Sequence, residues 1–168
     1  VPVSGWVQGV WYNKKMFAEK GLKEPKTWED ILAAAKAFND PANKKYGIAL
    51  ATANGVMTEQ VFSQFALSNG ANVLDASGKA SLDTPEMKEA IEYYKELSKY
   101  TMPGSNDVTQ VKDAFLGGSA PMAIYSTYIL PSAYKEGLTA DLGYTIPEKK
   151  QGAAFGVVIA LTITNGLD

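Results

Sequence analysis

The polar side chains best suited to ligand chemistry cluster between residues 54 and 60, ahead of a predicted helix. This segment carries two amides, a hydroxyl, a carboxylate and a thioether, contributed by Asn54, Met57, Thr58, Glu59 and Gln60. Amides and hydroxyls donate and accept hydrogen bonds, so the set suits a ligand rich in hydroxyl groups. The same residues also fit an ordinary helix start, with Thr58 as N-cap and Glu59 near the positive end of the helix dipole. The sequence leaves both interpretations open.

A second candidate group is aromatic. Tyr125 ends the predicted strand Met122 to Tyr125, and Tyr128 begins the predicted helix that follows it. Ligands of α/β proteins collect at the carboxyl ends of strands, where an aromatic ring offers a flat apolar platform. Ser126 either allows close approach of a ligand or caps the helix. Trp6, in the opening strand, either stacks on a ligand or is buried in a seam.

Composition excludes several kinds of chemistry. The 168-residue chain has no Cys and no His, and all 16 of its basic residues are Lys. Without a thiolate or an imidazole, we expect no catalytic residues, no metal site and no cofactor, and we predict that the chain is not an enzyme. The S-x-x-K pattern at Ser132 to Lys135 lacks the companion motifs of serine acyltransferases and is interpreted as chance. A net charge of -2 predicts no nucleic-acid partner.

The hydrophobic pattern predicts alternating strands and helices as the scaffold for these groups. Thr27 and Asp30 form a capping-box pattern around the start of a predicted helix at Trp28. Pro85 follows Thr84 at another predicted helix start. The predicted helices are 28–38, 58–68, one opening at 85, 108–116 and 128–135, and the predicted strands are 1–12, 46–51, 122–125, 142–146 and 153–161, with two short ones within 72–82. Such alternation predicts an α/β fold, a sheet with helices on both faces.

Five short motifs occur along the chain in a fixed order. They are Val1-Pro2 with Trp11-Tyr12-Asn13-Lys14, then Pro25-Lys26-Thr27-Trp28-Glu29-Asp30, then Asn69-Gly70-Ala71, then Phe115 to Met122, and finally Phe155-Gly156. Together they resemble the second, C-terminal lobe of the extracellular solute-binding proteins of ABC importers. The resemblance is to the branch that binds sugars and oligosaccharides, which includes the maltose-binding proteins.

The resemblance implies a fold and a function. The expected fold is a three-layer lobe of the type II periplasmic-binding-protein class with a mixed sheet. Residues 1–168 would form one ligand-binding lobe, with hinge strands near 1–12 and 153–163. Carbohydrate would bind in a cleft between this lobe and a missing first lobe, and the parent protein would serve an ABC permease. Trp6 lies where family members present a contacting side chain. Phe155 and Gly156 open the return strand as further candidate ligand-binding residues, because the glycine either permits backbone contact with a ligand or marks a simple bulge.

The same resemblance implies an extracytoplasmic parent, either periplasmic or lipid-anchored at the cell surface, although no signal-peptide pattern stands at Val1. Two alternatives to a sugar ligand stay open. One is a non-sugar solute such as a peptide or a polyamine, and the other is an isolated interaction module without a ligand. The apolar hinge segments also predict a homodimer formed through exposed strands.

Overall fold

The computed structural model describes residues 1–162, in which five α-helices separate the first strand from the second. The elements are β1 (Pro2–Asn13), α1 (Lys14–Glu19), α2 (Trp28–Phe38), α3 (Val56–Ser68), α4 (Pro85–Leu97), α5 (Val108–Leu116), β2 (Met122–Ser126), α6 (Leu130–Lys135), β3 (Leu142–Thr145) and β4 (Gly156–Ala160). The last residue of the predicted hinge segment 153–163, Ile163, lies outside the described residues.

All three other strands pair with β1. Its second half pairs antiparallel with β2, Gln8 opposite Ser126, and with β3, Val10 opposite Thr145. Its first half pairs with β4 in a two-stranded ribbon that carries a register shift between Pro2 and Ser4. A single parallel bridge between Ala49 and Ala123 adds a fifth segment beside β2. The predicted α/β class is therefore confirmed, and the three ladders between the named strands are antiparallel.

Helix starts follow the sequence signals closely. Thr27 accepts a hydrogen bond from the Asp30 amide, and the Asp30 carboxylate accepts from the Thr27 amide at 3.2 Å, which completes the predicted capping box of α2. Asn13 caps α1 and Thr84 caps α4. Side-chain caps satisfy amide groups that the first turn of a helix leaves unpaired, so these helices begin where the sequence predicts.

The core lies around Trp28, which is buried. Its ring stacks on Tyr93 with centroids 4.2 Å apart, and its indole N–H donates to the Ser68 hydroxyl at 2.9 Å. Trp11 is also buried, and its indole N–H donates to the Tyr125 carbonyl at 3.0 Å. These bonds satisfy the one polar atom of each buried indole, as a dry core requires.

The predicted strand 46–51 is an extended segment without a regular ladder. Ala49 donates to the Met122 carbonyl, whereas its neighbour Ile48 donates to the Tyr100 carbonyl. Because consecutive amides bond to different partners, only one bridge forms. The predicted strands within 72–82 likewise reduce to a single bridge between Leu74 and Ala80.

Two tyrosine rings lie over glycines of the neighbouring strand. A Cβ atom at Gly9 would clash with the ring of Tyr144, and one at Gly143 would clash with the ring of Tyr12. The Tyr144 hydroxyl also donates to the Gln8 carbonyl at 3.2 Å. Glycine is needed at both positions because any side chain would displace a ring that holds β1 against β3.

We predict that Gln64→Met stabilises the fold. Gln64 is fully buried on α3, and neither its Oε1 nor its Nε2 atom has a hydrogen-bond partner among the described residues. An unpaired buried amide costs about 1–3 kcal/mol, whereas Met fills a similar volume without polar atoms. Urea denaturation should show a gain of about 1 kcal/mol in the free energy of unfolding.

Gln64→Glu is the matched control, because it keeps the shape but buries a carboxylate. Burial raises the pKa of such a group in the folded state, so the variant should be destabilised at neutral pH and recover as the pH falls. A Gln64→Met protein less stable than the parent would contradict the assignment, because the amide would then have a stabilising partner.

Candidate functional site

A concavity of about 630 Å³ lies along one face of β1. Ser4, Trp6 and Gln8 line it, because alternate residues of a strand point to the same side of the sheet. Ile159 of β4 lines it next to this row. The part of the lining that β1 contributes thus follows the period of two along that strand.

Two helices begin at the same concavity. α3 contributes Val56, Met57 and Gln60, and its N-cap, Gly55, provides no side-chain hydrogen bond. α5 contributes Val108 and its cap Asp107, whose carboxylate accepts from the Val108 amide at 2.8 Å. The N-terminal ends of helices carry partial positive charge, which favours ligand oxygen atoms.

The carboxyl end of β2 closes a third side. Tyr125 is buried, whereas Tyr128 exposes 71% of its surface. The Ser126 hydroxyl accepts from the Tyr128 amide at 3.3 Å and so caps the short 3₁₀ turn Thr127–Ile129. The chain turns here so that the ring of Tyr128 stands free at the edge of the concavity.

Burial raises the pKa of Tyr125, and the negative charges of Asp113 and Asp107 raise the pKa further. The phenol therefore stays protonated at neutral pH and can donate a hydrogen bond. Asp107 is the one carboxylate among the residues of 1–162 that line the concavity.

Two side-chain amides and one indole form a hydrogen-bonded chain within the concavity. The Oε1 atom of Gln60 accepts from Trp6 Nε1 at 3.3 Å and from Gln8 Nε2 at 3.1 Å. The rings of Trp6 and Tyr128 meet edge to face, with centroids 6.4 Å apart and an interplanar angle of 73°. Gln8 is only 1% exposed, and its Oε1 has no partner among the described residues.

Six of the eleven residues predicted as ligand-binding line this one concavity. They are Trp6, Met57, Gln60, Tyr125, Ser126 and Tyr128. They come from three distant parts of the sequence, which the pairing of β1 with β2 and the packing of α3 on β1 bring together.

The other five predicted residues lie outside the concavity. The Thr58 hydroxyl donates to the Ala53 carbonyl at 2.6 Å, so Thr58 braces the loop, and the N-cap of α3 is Gly55. Glu59 is exposed and accepts from the Ser63 hydroxyl at 3.1 Å. Asn54 is also exposed.

Phe155 and Gly156 serve the backbone of β1. The Phe155 carbonyl accepts from the Gln8 amide at 2.8 Å, and Gly156 pairs with Val7. Both hold the strand that carries Gln8, and neither lines the concavity.

Sequence reasoning missed Gln8, Asp107 and Val108. Gln8 lies two positions after Trp6, so the period of two along β1 was a signal for it. Asp107 stands immediately before the predicted helix at Val108, which is the pattern of an N-cap. No local pattern predicts that α5 begins beside β1. That proximity arises because α5 packs on β2 and β2 pairs with β1.

Within residues 1–162, no group of three His, Cys, Asp or Glu side chains is arranged to hold a metal ion. In the same part of the chain, none of the helices is both long and apolar enough to cross a membrane.

The α/β scaffold thus carries an open concavity lined by uncharged amides, aromatic rings and the starts of two helices. The chain matches the family described as bacterial extracellular solute-binding protein over residues 1–167. The chain therefore belongs to the bacterial extracellular solute-binding protein family.

One relative, YcjN of Escherichia coli (strain K12), is provisionally named an ABC transporter periplasmic-binding protein. It is 59% identical over 166 residues, which are 99% of this chain and 39% of YcjN. The chain thus spans about two fifths of the length of this relative.

Solved solute-binding proteins of ABC transporters share the fold. One from Thermotoga lettingae TMO, bound with α-D-tagatose, superposes with a TM-score of 0.83 at 23% identity over 93% of this chain and 43% of its own. One from Agrobacterium vitis S4, with bound D-mannitol, gives a TM-score of 0.78 at 29% identity over 89% of this chain and 38% of its own.

The exposure of Tyr128 and Tyr125 predicts that their replacement by alanine changes stability by very different amounts. Tyr128→Ala should change the free energy of unfolding by less than about 0.5 kcal/mol, because a mostly exposed ring packs little. Tyr125→Ala should cost about 3 kcal/mol, because it leaves a cavity in the core. Chemical denaturation of both variants tests this, and a large loss of stability in Tyr128→Ala would mean that its ring packs on the lobe.

Proposed function

We propose that the concavity is one side of a cleft that binds a neutral carbohydrate or polyol. The protein would act, without catalysis, as the substrate-binding component of an ABC importer. The observation that carries this proposal is the hydrogen-bonded set Trp6, Gln60 and Gln8 beside the exposed ring of Tyr128. A sugar or polyol has a weakly apolar C–H face for the ring and hydroxyl groups for the amides. The D-mannitol bound by the Agrobacterium vitis relative supports this ligand class.

The charges around the concavity favour a neutral ligand. A polyamine would need several carboxylates, but Asp107 is the one that lines the concavity among the described residues, and it already caps α5. The start of α3, which has no side-chain cap, disfavours a cation further. We therefore rank a polyamine or a peptide below a carbohydrate as the ligand.

We further propose that a second lobe covers the concavity in a longer protein, and that β1 and β4 act as the hinge strands. The chain spans 39% of YcjN, which leaves ample sequence for such a lobe. Closure of two lobes around a ligand would create the surface that an ABC permease recognises. We also propose that this longer protein is extracytoplasmic, either in the periplasm or anchored at the cell surface.

Calorimetry of the full-length protein against sugars, polyols, peptides and polyamines tests the ligand class. We expect a neutral sugar or polyol to bind, and Tyr128→Ala to weaken it about three- to tenfold, because a lost stacking contact is worth about 0.5–1.5 kcal/mol. The matched control is Tyr134→Ala, because Tyr134 is 78% exposed on α6 and does not line the concavity. Binding of polyamines or peptides alone would overturn the carbohydrate proposal.

We also propose that the 168-residue chain self-associates through the β1–β4 ribbon. Apolar side chains are exposed along both strands, with Val3 at 53% and Val158 at 70%. Such strands offer apolar surface to a second copy. Self-association of this kind needs no ligand. The proposal therefore includes the alternative that the chain is an interaction module without a ligand.

Light scattering over a concentration series measures this association. Val158→Lys should shift the chain toward monomer, because it places a charge on the exposed ribbon. Val73→Lys, at a site 60% exposed elsewhere on the surface, is the matched control and should leave the dimer intact. A chain that stays monomeric at high concentration would refute the proposal.

A further inference from the structure

The indole N–H of Trp6 determines which way two neighbouring amides face. An indole nitrogen only donates, so the Gln60 atom that meets it at 3.3 Å must be the acceptor Oε1. The same Oε1 atom lies 3.1 Å from the Gln8 amide, so Gln8 must approach it with its donor, Nε2. A single donor-only group thereby removes the ambiguity between oxygen and nitrogen in both side chains.

With the two amides oriented in this way, one hydrogen-bond acceptor and one donor are left without a partner in the pair. Gln8 has its Oε1 atom, a buried acceptor with no partner among the described residues. Gln60 has its Nε2 group, a donor that takes no part in the hydrogen bonds found there. Both residues line the concavity, so the pair offers one free acceptor and one free donor there.

The backbone of Gln8 is held firmly on both sides. Its N–H donates to the Phe155 carbonyl at 2.8 Å, and its carbonyl accepts from the Tyr144 hydroxyl at 3.2 Å. In addition, Gln8 pairs with Ser126 of β2. Because the side-chain Nε2 of Gln8 is also bonded to Gln60, the unpaired oxygen is relieved only when a partner comes to it.

We propose that Trp6 is a positioning residue that orients the acceptor of Gln8 and the donor of Gln60 so that the pair selects neighbouring hydroxyl groups of a neutral ligand. This inference rests on the proposed carbohydrate or polyol function and adds the residues that determine specificity. Hydroxyl groups satisfy both ends because each one donates and accepts.

Charged groups fit only one end of the pair. An ammonium group donates to Gln8 Oε1 but has no acceptor site for Gln60 Nε2. A carboxylate accepts from Gln60 Nε2 but has no donor for the buried Gln8 Oε1, so two acceptors face each other. Selection against both charges therefore needs no charged side chain, only the fixed order of the two amides.

The orientation is testable without any ligand by NMR of the side-chain N–H groups in the 168-residue chain. We expect the Gln8 NH₂ group to be protected from exchange and shifted by its hydrogen bond, and the Gln60 NH₂ group to exchange freely. Trp6→Phe keeps a ring but loses the N–H, so the shift and protection of Gln8 should be lost. The reverse pattern in the parent, or no change in Trp6→Phe, would overturn the proposal.

Trp28→Phe is the matched control for this measurement. It also removes an indole N–H that donates to a side-chain oxygen, the hydroxyl of Ser68. Neither Trp28 nor Ser68 lines the concavity. It should leave the Gln8 and Gln60 signals in place, even though it lowers stability. A change of the Gln8 signals in both variants would mean that they report stability and not orientation, and would count against the proposal.

The second test measures selectivity in the full-length protein with D-mannitol and its 1-amino-1-deoxy analogue. Gln60→Glu keeps an oxygen toward Trp6 and Gln8 but replaces the free donor by an acceptor. D-Mannitol should then bind about three- to tenfold more weakly, and the amino analogue should gain relative to it. Gln151→Glu adds the same charge at an exposed site outside the concavity and should leave the ratio unchanged.

An unchanged ratio in Gln60→Glu would overturn the role of the amide pair in selection. If no neutral sugar or polyol binds the parent protein, the proposed function fails, whereas the ligand-free NMR result still decides the orientation. The two proposals can therefore fail separately.

Discussion

The pairing of one strand, β1, with every other strand is the constraint on which the rest of the structure depends. Because β2, β3 and β4 all bond to it, its register fixes which residues face the concavity. A shift of one residue would turn Trp6 and Gln8 to the opposite face and present Val7 and Gly9 instead. Tyr144 over Gly9 and Tyr12 over Gly143 oppose such a shift, because either ring would meet a side chain.

The character of β1 changes along its length, and the concavity lies at the change. Val3 is half exposed in the ribbon with β4, whereas Val10 is fully buried between β2 and β3. Trp6 and Gln8 stand between these two environments, which explains why a half-buried ring and a buried amide occur two residues apart. A polar group at such a boundary can be fixed by the core on one side and still meet a ligand on the other.

Local sequence signals predicted most elements of the fold and part of the site. The capping box at Thr27 and Asp30 and the apolar pattern of α5 are determined by neighbouring residues, so both were correctly predicted. The segment 46–51 looked like a strand but bonds to two partners, Tyr100 and Met122, that lie far along the chain. Gln8 and Asp107 were also missed because of distant contacts. Gln8 meets Gln60 only after α3 packs on β1, and Asp107 meets Tyr125 only after α5 packs on β2.

A buried acceptor oxygen without a partner makes the proposed site selective without any additional side chain. Leaving a buried acceptor without a donor costs about 1–3 kcal/mol, whereas a satisfied hydrogen bond contributes only about 1 kcal/mol net. A ligand hydroxyl that donates to Gln8 Oε1 would therefore remove this cost, whereas a ligand that lacks the hydroxyl leaves the cost in place. The selectivity depends on the Gln8 side chain being unable to turn away, and the hydrogen bond from its Nε2 to Gln60 Oε1 holds it in this orientation. The pairing that holds β1 in register places Gln8 beside Gln60, and so it also determines how sharply the proposed site distinguishes its ligands.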